Sequence, residues 1–125
     1  MNSITLKPEL SELYTLNEFI LNEFPQENIQ VNLIVEEIFV NIVNYSKAEF
    51  INVNVEYERP TLTLEFIDDG IEFNPLLKED QALPNNIDEA KIGGLGIFLT
   101  KQIADELDYH YLNGENHLKI IKRVE

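Results

Sequence analysis

The sequence predicts a two-layer α/β sandwich, with a mixed, mostly antiparallel sheet and helices on one face. Three observations predict it. Apolar stripes at helical spacing run through Leu10–Phe24 and Asn28–Ser46. Two segments of alternating polarity, Phe50–Tyr57 and Leu62–Phe66, follow them. Asn113-Gly114 then separates two further short apolar segments, and Asn-Gly is a strong signal for a two-residue hairpin turn. Strands joined by hairpins, with helices grouped between them, bury one face of a sheet under a helical layer.

Taken in order, Ser3 to Leu6 reads as a short first strand. Pro8 suits the first turn of a helix, and Leu10, Leu13, Leu16, Ile20 and Phe24 give that helix its apolar stripe. Pro25 and Gln26 end it. A second helix covers Asn28 to Ser46, where Val31, Ile34, Val35, Ile38, Phe39, Ile42 and Val43 make a wide apolar face. In the next strand Ile51, Val53, Val55 and Tyr57 point one way and Asn52, Asn54 and Glu56 the other. Glu58 to Pro60 form a turn, and Leu62, Leu64 and Phe66 lead a second strand to Asp68, Asp69 and Gly70. The stretch from Asn74 to Ile92, with Pro75, Pro84 and Asn85-Asn86, reads as a long loop. Such loops in small domains are usually functional or mobile. A third helix follows Gly96, with Ile97, Phe98, Thr100, Ile103, Ala104 and Leu107 on or near its buried side. Asp105, Glu106 and Asp108 form its solvated end, and Tyr109–Leu112 and His117–Val124 make a terminal hairpin.

The chain has 125 residues, so one domain over 1–125 is expected. A net charge of −14 counts against nucleic acid and anionic membranes, which need basic footprints. The same charge fits either a basic partner or solubility alone. No apolar run approaches the roughly 20 residues that span a bilayer, and no basic-then-apolar secretion signal opens the chain. The absence of cysteine excludes disulfides and thiolate metal sites. These features set a cytoplasmic location as the expectation.

Three short patterns carry the chemistry. Glu37 and Asn41 lie four residues apart, on one side of the second helix. An amide oxygen there suits Mg²⁺, a hard cation, and the carboxylate can take a proton from a hydroxyl. Alone, the pair reads first as a solvated edge beside a satisfied amide. Asp68 closes a strand and is followed by Gly70. A carboxylate there can accept from an adenine amino group, and a glycine lets the base come close. Alone, Asp-Asp-Gly reads first as a turn. Gly93, Gly94, Leu95 and Gly96 open a helix, where free amides form an anion site. Alone, they read equally as a joint or cap. No Lys-Ser or Lys-Thr follows, so this is not a phosphate loop of the Walker type. It is not a dinucleotide fingerprint either, because a loop precedes it. His110 and His117 lack metal-ligand spacing and read as sheet or surface residues.

In this order and spacing the three patterns resemble the ATP-binding site of the GHKL superfamily. Nearly the whole chain is similar to the small anti-sigma-factor serine/threonine kinases within it. Glu37 and Asn41 match that family's N box, the run from Asp68 through Phe73 to Pro75 its first glycine box, and IGGLGIFLTKQIADEL its second. The resemblance implies that Glu37 is the general base and that Asn41 holds Mg²⁺. It implies that Asp68, with Gly70 and Phe73, binds the adenine of ATP. Gly93, Gly94, Leu95 and Gly96 would frame the phosphates, and Asn74–Ile92 would be the lid. Relatives often carry His where this chain has Tyr45, and the lid holds only Lys78 and Lys91 as basic residues.

The expected function is therefore an ATP- and Mg²⁺-dependent serine/threonine protein kinase. Its expected phospho-acceptor is an anti-sigma antagonist, its second partner a sigma factor or similar regulator, and a homodimer is possible. The alternative is a non-catalytic docking module organised by ATP. A stand-alone histidine kinase fits less well, because the sequence leaves no room for a phospho-acceptor helix pair.

Overall fold

The computed structural model describes residues 2–74 and 100–124. Five strands form one sheet: β1 (Asn2–Leu6), β2 (Ile51–Glu58), β3 (Thr61–Asp68), β4 (Glu106–Leu112) and β5 (Glu115–Arg123). Their order is β1-β2-β3-β5-β4, and each neighbouring pair is antiparallel. The helical layer contains a 3-10 turn at Leu10–Glu12, α1 (Leu13–Glu23) and α2 (Ile29–Tyr45).

Alternation sets the two faces of the sheet. Ile51, Val53 and Val55 on β2, Leu62, Leu64 and Phe66 on β3, and Leu118 and Ile120 on β5 are all buried. They meet Leu16 and Ile20 of α1 and Ile34, Val35, Ile38 and Phe39 of α2 in one core. Phe24, just past α1, sets its ring edge-on to Tyr57 at 4.9 Å, a favoured aromatic geometry. The opposite residues of β2 and β3 are half-exposed or exposed, and all but Ile67 are polar. This is the expected two-layer fold, with helices on one face.

Asn28 starts α2: its side chain accepts from the Val31 amide at 3.0 Å, a standard N-cap. The Asn113-Gly114 turn has φ of 54° and 79°. Positive φ at both central residues is what a type I′ hairpin requires.

The expected third helix needs correction at its end. Residues 100–103 are helical, but Glu106, Leu107 and Asp108 belong to β4. Asp105 is no helix end: its amide donates to the Ile121 carbonyl at 2.9 Å, and its carboxylate accepts from the Arg123 amide at 2.5 Å. Leu107 and Tyr109 then alternate toward the core, opposite Ile120 and Leu118. Cross-strand pairing with β5 wins over the helical spacing of Ile103 and Leu107. Residues 75–99, with most of the expected lid and the start of the expected third helix at Ile97 and Phe98, lie outside the described residues. Among the described residues, no helix is long and apolar enough to cross a membrane.

Candidate functional site

A pocket opens between α2 and the end of the sheet. Ile38, Ile42, Phe66 and Leu118 supply apolar walls, Phe73 and Tyr109 aromatic ones, and Asn41, Ser46, Asp68 and Asn116 the polar atoms. It encloses about 340 Å³ of empty space, its open mouth included. Mostly apolar walls with a few convergent polar groups are the usual make-up of a ligand site.

Strand register builds the polar end. Asp68 is the last residue of β3, and its cross-strand partner on β5 is Asn116. Both positions fall on the inward-facing parity, and both side chains are buried, at 3% and 4% exposure. Asp68 Oδ1 accepts from the Gly70 amide at 2.9 Å and from Asn116 Nδ2 at 3.1 Å. The Ser46 side chain also hydrogen-bonds this carboxyl. Burial pushes the Asp68 pKa up, against the lowering pull of these three hydrogen bonds; the Asp69 charge raises it further.

Asn116 fills its whole hydrogen-bonding capacity here. Nδ2 donates to Asp68 and to the Ile71 carbonyl at 2.8 Å. Oδ1 accepts from the Phe73 amide at 3.0 Å and from the Tyr109 hydroxyl. An amide offers two donors and two acceptor sites, so one side chain joins β3, β4 and the segment after Gly70. Burial also raises the Tyr109 pKa.

The segment after β3 docks on the C-terminal end of α2. The Ile71 amide donates to the Ser46 carbonyl at 2.7 Å. Asp69 accepts from the Glu49 and Phe50 amides at 2.8 and 3.1 Å, fixing the start of β2. Gly70 is required by this packing: a Cβ there would stand 2.2 Å from the Ser46 carbonyl oxygen. Phe73 reaches the pocket, its ring 6.4 Å from that of Tyr45 and tilted by 30°.

Asn41 faces the same pocket from α2 at 3% exposure. Its Oδ1 is buried and has no hydrogen-bond partner among the described residues. The bland expectation of a satisfied amide therefore fails for this atom. A buried neutral oxygen without a donor matches the needs of a hard cation. Glu37 sits one turn earlier on α2, half-buried, and is not among the lining residues. Burial first, and then the neighbouring Glu36, push its pKa up.

The structure thus brings Asn41, Asp68 and Phe73 together around one pocket. It sets Gly70 behind Asp68 as a packing residue and Glu37 beside the site. Gly93, Gly94, Leu95 and Gly96 lie outside the described residues. Asn116, Tyr109 and Ser46 are site residues that sequence reasoning missed. The available signal for Asn116 was its parity: it shares the inward face with Leu118 and Ile120, where an amide is out of place. His110 and His117 form a cross-strand stack 4.7 Å apart on the other face. No cluster of three or more metal-ligating side chains occurs among the described residues.

Comparisons with known proteins bear on the family and the fold. A sequence model of the histidine kinase-like ATPase domain matches residues 13–122. The serine/threonine-protein kinase BtrW of Bordetella bronchiseptica is 24% identical over 124 residues, covering 94% of this chain and 87% of that protein. The histidine kinase AdeS of Acinetobacter baumannii aligns with all of this chain and 68% of its own, with a TM-score of 0.54 and 12% identity. That second likeness is one of fold.

Proposed function

The chain belongs to the histidine kinase-like ATPase domain family, and from that premise we propose that it binds ATP with Mg²⁺ and phosphorylates a serine or threonine on a partner protein. The favoured partner is an anti-sigma antagonist, with sequestration of a sigma factor as the coupled output. The name of the relative from Bordetella bronchiseptica supports the kinase half of this reading.

The observation that carries the nucleotide assignment is the Asp68–Asn116 pair at the polar end of an otherwise apolar slot. Asp68 accepts from the exocyclic amino group of adenine. Asn116 holds that carboxylate in place, and Ile38, Ile42 and Leu118 contact the flat base. Asn41 would hold Mg²⁺ through Oδ1, where the cation would offset phosphate charge. Glu37 takes the proton from the attacking hydroxyl as its oxygen bonds to the γ-phosphorus and the bond to the departing ADP oxygen breaks. Its raised pKa makes it a better base than an ordinary carboxylate.

Incubation with labelled ATP, Mg²⁺ and the candidate acceptor tests this reading. Transfer of label to a serine or threonine is expected. Glu37→Gln keeps size and removes basicity, so ATP affinity stays within a few fold while transfer falls by roughly 10²–10⁴. Full transfer by that variant removes Glu37 as base. A second reading, an ATP-organised docking module, draws on the place of Glu37 outside the pocket lining. It predicts nucleotide-dependent partner binding with no transfer by the parent protein.

A further inference from the structure

The outer side of the helical layer carries apolar side chains that the core does not use. Leu10, Tyr14 and Leu21 are exposed, Tyr14 at 72%. Spacings of four and seven residues set them along one side of the 3-10 turn and α1. On α2, Ile29 at 78% exposure and Leu33 are one turn apart and also face outward. Singly exposed apolar residues are ordinary, whereas Leu10, Tyr14 and Leu21 recur at helical spacing along one outward side.

The charge of the same layer states what kind of partner fits. Between Lys7 and Lys47 the chain contains no lysine, arginine or histidine, and its only charged residues are glutamates. Exposed Glu9, Glu18, Glu27 and Glu36 interleave with the apolar positions. A face of one sign repels nucleic acid, anionic lipid and a second copy of itself. It attracts a surface with apolar residues in the middle and cations around them.

We infer that this face docks a partner protein through a basic amphipathic helix. Apolar residues of that helix seat against Leu10, Tyr14 and Leu21, while its lysines or arginines pair with the flanking glutamates. Tyr14 is the anchor, because large, rigid aromatic residues dominate such interfaces. The glutamates raise the encounter rate and set orientation. This inference goes beyond the nucleotide reading and needs neither ATP nor phosphate transfer.

The test uses the full chain and an 18-residue synthetic helix of leucine and lysine patterned for one apolar face, with a scrambled peptide of equal composition as control. Anisotropy without nucleotide is expected to give binding at least about tenfold tighter for the patterned peptide. The double variant Tyr14→Ser, Leu21→Ser and, separately, Glu18→Lys with Glu27→Lys are each expected to weaken it at least about tenfold, with the far-UV spectrum and Tm unchanged. Should the serine variant misfold, the charge-reversal variant and a photocrosslinker at position 14 decide. Crosslinking from position 14, and not from a control at Tyr111, supports the inference. Equal affinity for both peptides overturns it, as does binding that survives the serine substitutions. Sedimentation covers the other occupant: self-association abolished by the serine variant would mean a second copy covers this face, and the inference fails.

Discussion

A carboxyl group at 3% exposure stays useful as an acceptor only if its neighbours favour the charged form, and Asp68 has Gly70, Asn116 and Ser46 for that purpose. Burial still wins, and its pKa is raised from 3.8. The folded carboxyl therefore holds its proton to higher pH than the unfolded one. Its contribution to stability is full at low pH and is lost as pH rises through the folded pKa. Ionisation therefore lowers the stability of the nucleotide-free fold, an effect that Asp68→Asn should remove. The same variant should lose most of the Tm rise that ATP gives the parent, because an amide presents a donor where the carboxylate presents only acceptors. Differential scanning fluorimetry with and without Mg-ATP reads both effects. Gly70 is a sharper steric case. Gly70→Ala places a methyl group 2.2 Å from backbone oxygen, and backbone cannot swing aside as a side-chain end can. A loss of about 1–3 kcal/mol in urea unfolding is expected, with weakened ATP binding as Asp68 shifts.

At the scale of elements, α2 ties the fold to the site. Its inward residues make the core, and its other buried side places Asn41 in the pocket. Removing its N-cap by Asn28→Ala should cost about 1 kcal/mol in urea unfolding, with little change in ATP affinity, because the cap lies at the opposite end of the helix from Ser46. Helix α2, strands β2 and β3 and the Asn-Gly turn were legible in sequence because each is fixed by a local rule: a cap, an alternation or a positive-φ pair. The start of β4 was not. Ile103 and Leu107 fit helical spacing, and only the pairing of Leu107 with Ile120 makes Glu106–Leu112 a strand. The site divides the same way. Asn41, Asp68 and Phe73 stood out as short local patterns, and the structure sets them around one pocket. Asn116 gains its role only from lying opposite Asp68 in the sheet, a relation created by register.

At the scale of the whole molecule, an apolar slot beside α2 is combined with an acidic outer helical surface. The slot lies where β3 ends and β5 begins, and where β3, β4 and β5 come together through one asparagine. The net charge of −14 acts across all of it. Nucleotide phosphates approaching this chain meet repulsion that a divalent cation would relieve, so ATP affinity should fall when Mg²⁺ is chelated. In the proposed function Asp68 reads the adenine amino group in this pocket. Isothermal titration in Mg²⁺ with ATP and with inosine triphosphate, which lacks that amino group, tests it most directly. The parent protein should bind ATP at least about tenfold tighter than the inosine analogue, and Asp68→Asn should erase most of that difference while remaining folded. Equal affinity of the parent for the two nucleotides, or no binding of ATP at all, would contradict the account.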